Sequence, residues 1–324
     1  MLNAPWSFSR NVVYVRNVIL HWHNIWGGVT MREDDLDLEL KKWWNNYGDR
    51  ELYREENDPR KQIHTYLIWR EVKRCVNTRH RLRILDAGAG TGRFSIPLAQ
   101  EGHEIIHLDI SEKMIEIARK NAESRKIENI QFAQGDICKG LEFEDNTFDL
   151  VLCLDSPLSY CYKNYENILS ELIRVSRWKI VLCVMNRYGT ILEGGVDFDL
   201  THFGKLKTVR DVYATGNLIV TEELRRLQPT LFPSWHAFTP DELKMLLERH
   251  GCYIEKLSAP GTLARSVDIE QLKQLLVDRK SYEDYLNFEE EFDKNTCVLG
   301  IGAIGAGGLL VTATKDLNNT FFKG

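Results

Sequence analysis

The chain has 324 residues, 43% of them hydrophobic, enough for one large domain or two ordinary ones with a substantial core. Its 42 basic and 47 acidic residues leave a formal charge of -5, so no broad cationic field draws in a phosphate backbone, and nucleic acid is a disfavoured partner. Seven scattered cysteines with no C-x-x-C pair indicate neither a disulfide framework nor a zinc knuckle, and they read as small buried hydrophobes in a reducing compartment.

The first stretch, "MLNAPWSFSRNVVYVRNVILHWHNIW", is aromatic and irregular. Arg10, Arg16, His21 and His23 interrupt any apolar run and no small-residue cleavage site follows, so the expected location is the cytoplasm. His21 and His23 have no third ligand nearby in the sequence, and no metal is expected. Two amphipathic stretches come next. "MREDDLDLELKKWWNNYG" carries Leu36, Leu38 and Leu40 before Trp43 and Trp44, and "DPRKQIHTYLIWREVKRCV" places Ile63, Tyr66, Leu67, Val72 and Val76 at helical spacing. Residues 1–79 therefore read as an N-terminal helical segment that packs on or caps the main domain.

From Arg81 short apolar runs alternate with helix patterns. Strands are expected at 83–88, 104–110, 130–136, 148–156 and 179–186, and helices at 91–102, 111–126 and 165–177. Such alternation implies parallel pairing through right-handed crossovers. The rhythm breaks over about 187–237, which reads as an inserted cap. It resumes with "FTPDELKMLLERHG", where Thr239, Pro240 and Glu242 form a helix start with a capping box, and with a strand at 252–259. A helical, acidic insertion at about 263–296 precedes the last apolar run.

The chemistry is concentrated in "ILDAGAGTGRFSIPLAQEGHEIIHLDISEKM", residues 84–114. Gly88, Gly90 and Gly92 lie in the first strand-to-helix turn, where missing side chains let a ligand approach backbone N–H groups. Their G-x-G-x-G spacing differs from a dinucleotide fingerprint, because Arg93 stands where the third glycine belongs. Asp86 at the first strand's end would repel a pyrophosphate and attract a cationic ligand. Asp109 ends the second strand, placed to accept from a ribose diol. Asp136 and Ile137 close the third strand, and "CLDSPLSYC", 153–161, closes the fourth.

These four strand ends, in this order and spacing, resemble the S-adenosylmethionine-binding core of the class I methyltransferases, in the small-domain group often labelled methyltransferase type 11 or 25. The resemblance covers about residues 80–186, with weaker likeness at 238–259 and 307–315. It implies a Rossmann-like α/β fold: a seven-stranded, mostly parallel sheet with helices on both faces and the last strand antiparallel. Residues 80–324 would form this domain, with the cap inserted. It also implies that Asp86, Gly88, Gly90 and Gly92 surround the methionine moiety and that Asp109 binds the ribose hydroxyls. Ile110 and Met114 would flank the adenine, Asp136 and Ile137 bind its edge, and the Leu154 carbonyl lie near the methionine amine. Met114 also fits its helix's apolar face beside Ile117.

Methyl transfer from a sulfonium is an in-line displacement, in which positioning can supply roughly 7 to 11 kcal/mol. A protonated acceptor also needs a base. The candidates are Tyr160 and Tyr162 after the fourth strand, His202 and Tyr213 in the cap, His236 before the capped helix, and Tyr47. His236 reads equally as a packing residue at the helix entrance. The sequence Asp155-Ser156-Pro157-Leu158 lacks the Pro-Pro-aromatic signature of DNA amino-group methylation, and no proline precedes a cysteine as cytosine C5 chemistry asks. The leading expectation is an enzyme that methylates an O or N nucleophile of a small organic molecule, with no membrane or nucleic-acid partner. A protein side chain as acceptor, a nicotinamide-dependent oxidoreductase and a non-catalytic cofactor-binding scaffold are the alternatives.

One motif misleads. In "VLGIGAIGAGGLLVTATK", Gly300, Gly302 and Gly305 spell G-x-G-x-x-G, but a strand-like run follows instead of a helix with an acidic residue about 20 positions on. Leu309 to Thr314 are expected to form the final strand, which the methyltransferase resemblance implies is antiparallel and inserted between the fifth and sixth.

Overall fold

Residues 33–77, 81–302 and 308–316 are described by the computed structural model; the readings of the first 30 residues, His21 and His23 among them, and of Gly305 fall outside these. A seven-stranded sheet organises the molecule, with strands β1 (Arg83–Ala87), β2 (Glu104–Asp109), β3 (Ile130–Gln134), β4 (Phe148–Cys153), β5 (Ser176–Val184), β8 (Cys252–Ser258) and β9 (Leu309–Lys315). Their order is β3-β2-β1-β4-β5-β9-β8. Six strands run parallel, and β9 is antiparallel to both β5 and β8. The chain winds one way from β1 to β3 and the other way from β4, so the tips of β1 and β4 part to leave a crevice.

The central strands read as unbroken apolar runs because both faces are covered. On one face Leu85, Val151 and Leu182 pack against Ile168, Leu169 and Leu172 of a helix at Tyr165–Val175. On the other, Ile84, Leu150, Leu152 and Val181 meet Ile68 and Val72. Those two belong to α3 (Pro59–Val76), which Asp58 caps and Pro59 opens. It follows α1 (Glu33–Leu52) and the single turn α2 (Arg54–Asn57). Thus α3 completes the sheet's main core, while α1 and α2 run across the crevice.

Local chemistry explains where the elements depart from expectation. The first helix after β1 is only α4 (Ser95–Gln100), because Gly88, Gly90 and Gly92 all take positive φ and prolong the turn. β5 begins at Ser176, where the backbone turns extended (ψ 133°) and its hydroxyl donates to the Lys179 carbonyl, so Ser176 and Arg177 are not helical. α5 (Glu112–Ser124) starts with the Ser111 hydroxyl accepting from Met114 N–H.

The segment between β5 and β8 holds short helices and a two-residue ribbon, β6 (Asn217–Leu218) against β7 (Trp235–His236), before the helix Pro240–Arg249 with its Thr239–Glu242 capping box. Helices Ile269–Val277 and Arg279–Phe292 stand between β8 and β9. Gly302 is pressed against Thr262 and Ala259, where a Cβ would overlap both, so this glycine serves close packing of the approach to β9. The reading of all seven cysteines as isolated hydrophobes is corrected at two of them. Cys138, after β3, and Cys161, after β4, are disulfide-paired with Cα atoms 4.9 Å apart. The pairing is brought about by the sheet order rather than by local spacing. Among the described residues no helix is long and apolar enough to cross a membrane.

Candidate active site

The crevice holds a cavity of about 250 Å³. Its floor is the β1 turn. Gly88 has φ +79°, and a Cβ on it would run into Pro157; Gly90 has φ +56° and only open space where its Cβ would be. Asp86, Gly88, Gly90, Asp109, Ile110, Met114, Asp136, Ile137 and Leu154 all line this one cavity. Gly92 does not. Its φ is +84°, and a Cβ there would meet Ile96 at 2.7 Å and Ala118 at 3.2 Å, so it lets the glycine turn sit against α4 and α5.

The two strand-end aspartates are buried and individually held. Asp86 accepts from the Ser95 hydroxyl at 2.5 Å, and Ser95 also meets His107 Nδ1 at 3.0 Å. Asp109 accepts from Gly90 N–H and Ser111 N–H, one on each oxygen, both at 2.8 Å. Burial pushes the Asp86 carboxyl up to about 7 and Asp109 up to about 6, from an ordinary 3.8. A ligand that donates hydrogen bonds or brings positive charge would relieve that cost. Asp136 caps the turn after β3, accepting from Cys138 N–H at 2.9 Å.

α1 forms the roof. The Ser111 hydroxyl donates to Asn45 Oδ1 at 2.7 Å, and Lys41 pairs with Glu112 at 2.8 Å, fixing α1 over the loop that carries Asp109. Trp44 and Tyr47 from this helix, Tyr160, and Phe232 from the cap close the cavity with aromatic faces, Trp44 standing edge-on to Tyr160 at 5.4 Å.

Three comparisons place this geometry among known proteins. Residues 84–178 match the family described as "Methyltransferase domain". Residues 84–178 thus match a methyltransferase domain, set in the fold of the class I S-adenosylmethionine-dependent methyltransferases. A tRNA 5-carboxymethoxyuridine methyltransferase of Escherichia coli (strain K12) is 31% identical over 156 residues, which cover 45% of this chain and 58% of that protein. A demethylmenaquinone methyltransferase of Streptomyces avermitilis is 34% identical over 122 residues, 36% of this chain and 48% of its own length. The chain spans about half the length of these curated relatives. The crystal structure of a magnesium protoporphyrin IX methyltransferase from Synechocystis with bound SAH shares the fold, with a TM-score of 0.54, 16% identity, and 86% of this chain and 99% of that one covered.

Around the methyltransferase domain's cavity the candidate bases separate. Tyr160 lines it, but burial pushes its phenol well above the ordinary 10, and its hydroxyl has no partner. Tyr47 also lines it. Tyr162, His202, Tyr213 and His236 do not. Tyr213 is 65% exposed and packs on Tyr188, and His202 rests on Phe198. His236 is buried with Nδ1 on Asn217 at 2.7 Å and Nε2 on Glu242 at 2.9 Å, stacked on Tyr165, which makes it a packing residue at the helix entrance.

A polar cluster that no sequence motif marks stands at the β4 end of the cavity. Arg54 donates to Asp155 at 2.6 Å and pairs with Glu51 at 3.0 Å; Arg93 also reaches Glu51, at 2.9 Å. Burial alone would raise the Asp155 carboxyl, but the Arg54 guanidinium, joined by His64 and Arg93, outweighs it and holds Asp155 well below the usual carboxylate range. His64, from α3, and Lys61, one turn earlier, line the same end. The available signal for His64 was a polar ring embedded in the apolar face of Ile63, Leu67 and Ile68. His64, Asp155 and Cys183 bring potential ligand atoms within 4.8 Å of one another, yet a cation there would compete with Arg54 for the carboxylate.

Proposed function

We propose that this protein transfers the methyl group of S-adenosylmethionine to an O or N nucleophile of a small organic molecule. The observation that carries the reading is the single cavity into which four strand ends converge, open at Gly90 and roofed by α1. The residues present fit the cofactor: the Cβ-free space at Gly90 admits a ligand against backbone, and two buried carboxylates face it. The bound cofactor would supply an electrophilic methyl on a positively charged sulfur. Asp109 would accept from the ribose hydroxyls with the lone pairs its backbone partners leave. Asp136 and Ile137 would meet the adenine edge between Ile110 and Met114, and the Leu154 carbonyl the methionine amine. Asp86 would place negative charge near the sulfonium.

A partly open cavity of about 250 Å³ with aromatic walls suits a small acceptor better than a base within a folded polynucleotide, and a formal charge of -5 provides no broad cationic field. The likeness to a tRNA-modifying enzyme makes RNA the competitor to test. Cofactor labelled in its methyl group is incubated separately with a metabolite fraction, total RNA and a protein fraction. Label appearing in the metabolite fraction supports the reading; label confined to RNA or to protein overturns the acceptor class.

A further inference from the structure

His64 is held in one tautomer. Its Nδ1 lies 3.0 Å from the Pro260 carbonyl oxygen, which can only accept, so Nδ1 carries the proton. In the neutral ring Nε2 then bears the lone pair. That atom is buried with no hydrogen-bond partner, 3.4 Å from Asp155 Oδ1, in a side chain that lines the cofactor cavity at its β4 end. We propose that His64 Nε2 is the general base that takes the proton from the methyl acceptor, a role that rests on the cavity's being the cofactor site.

The surroundings favour this atom over its neighbours. The charged groups facing it are Asp155 from the β4 end, Arg54 from α2 and Lys61 from its own helix, with the buried Cys183 thiol of β5 nearby. Arg54 already neutralises Asp155 through a 2.6 Å bond, so the ring is not forced into permanent ion pairing. The same bond makes Asp155 a poor proton acceptor, and the Tyr160 phenol stays protonated in its buried place. Once Nε2 accepts a proton, the imidazolium is stabilised by Asp155 on one side and the Pro260 carbonyl on the other. The balance is simple. The acceptor's lone pair forms the bond to the methyl carbon, the carbon–sulfur bond breaks with its electrons passing to sulfur, and the acceptor's proton ends on Nε2 for release to water.

The test uses the full chain labelled with ¹⁵N-histidine and two cofactor analogues. S-adenosylhomocysteine lacks the methyl, and sinefungin has an amine-bearing carbon where the cofactor has its methyl-bearing sulfur. Binding of both is measured first by calorimetry; if neither binds, the cofactor reading itself fails. With the analogues bound, the resonances missing from His64→Asn, which keeps a donor for Pro260, identify the ring, and His64→Gln provides a second assignment. At pH 8 the expected spectrum is a neutral ring protonated at Nδ1, with an Nε2 shift that differs between S-adenosylhomocysteine and sinefungin. A His64 that is imidazolium at pH 8, or an Nε2 indifferent to the sinefungin amine, overturns the proposal while leaving cofactor binding intact.

Discussion

Replacing Asp109 by alanine probes the site where the structure specifies most. Its carboxylate accepts Gly90 N–H and Ser111 N–H at 2.8 Å each, and those contacts hold the glycine turn against the β2 tip. Removing it costs the ribose two charge-assisted acceptors and frees the turn. Hydrogen bonds to a charged group contribute about 1.5 to 3 kcal/mol, so a loss near 2 kcal/mol, or ~30-fold in Kd, is expected for S-adenosylhomocysteine. Removing a carboxyl that burial has raised to about 6 also relieves a desolvation cost, which partly offsets the two lost backbone contacts in the free protein. The effect should therefore fall on affinity more than on melting temperature. Calorimetric titration of wild type and Asp109→Ala at pH 8 measures it. A Kd within twofold of wild type in a folded variant would refute the assignment of the ribose to Asp109.

The two open-turn glycines should behave differently. Gly88→Ala places a methyl into Pro157 at φ +79° and should lower stability by several kcal/mol, whereas Gly90→Ala meets no protein atom and should cost about 1 to 2 kcal/mol of backbone strain while still blocking the ligand. Denaturant unfolding alongside binding separates the two, and equal stabilities would contradict the turn geometry. Affinity for S-adenosylhomocysteine should fall as pH is lowered through about 6, because protonated Asp109 loses acceptor capacity; a Kd constant between pH 8 and 5 would count against it. For folding, as opposed to ligand binding, a raised carboxyl has the reverse pH dependence, and Asp86 shows it most. Its carboxyl is raised to about 7, so its contribution to stability is present below the unfolded value near 3.9 and lost as pH rises through 7. Asp86→Asn should accordingly raise Tm at pH 8 and gain little at pH 4. Arg54→Ala leaves Asp155 without its guanidinium and should cost up to about 3 kcal/mol at pH 7 by urea unfolding. Because Asp155 is depressed in the folded state, that loss should shrink only below about pH 4.

Much of the fold was legible because each strand end carries its own local signature. The glycine turn after β1 and the aspartates at 86, 109 and 136 follow from residues adjacent in sequence, and the sheet order brings nine of the ten expected cavity residues together. That β9 is a strand was legible from a β-branched run after a false G-x-G-x-x-G, whereas its antiparallel direction was implied by the family resemblance. What the sequence hid depends on long-range packing. Arg54 lies 101 residues from Asp155, and His64 lies 196 from Pro260, so no local pattern marks either contact. His202 and Tyr213 looked like bases because their cap segment has no periodicity to say which way a side chain faces; the structure turns Tyr213 outward. Gly92 shares its neighbours' spacing, yet its missing side chain serves helix packing instead of the cavity.

The place a bound cofactor gives its sulfur tests the site most directly. A crystal structure with S-adenosylhomocysteine is expected to show the ribose on Asp109, the adenine beside Asp136, and the sulfur at the β4 end, facing Asp155 and His64. A ligand with its adenine at the β4 end, or bound outside this cavity, would contradict the assignment.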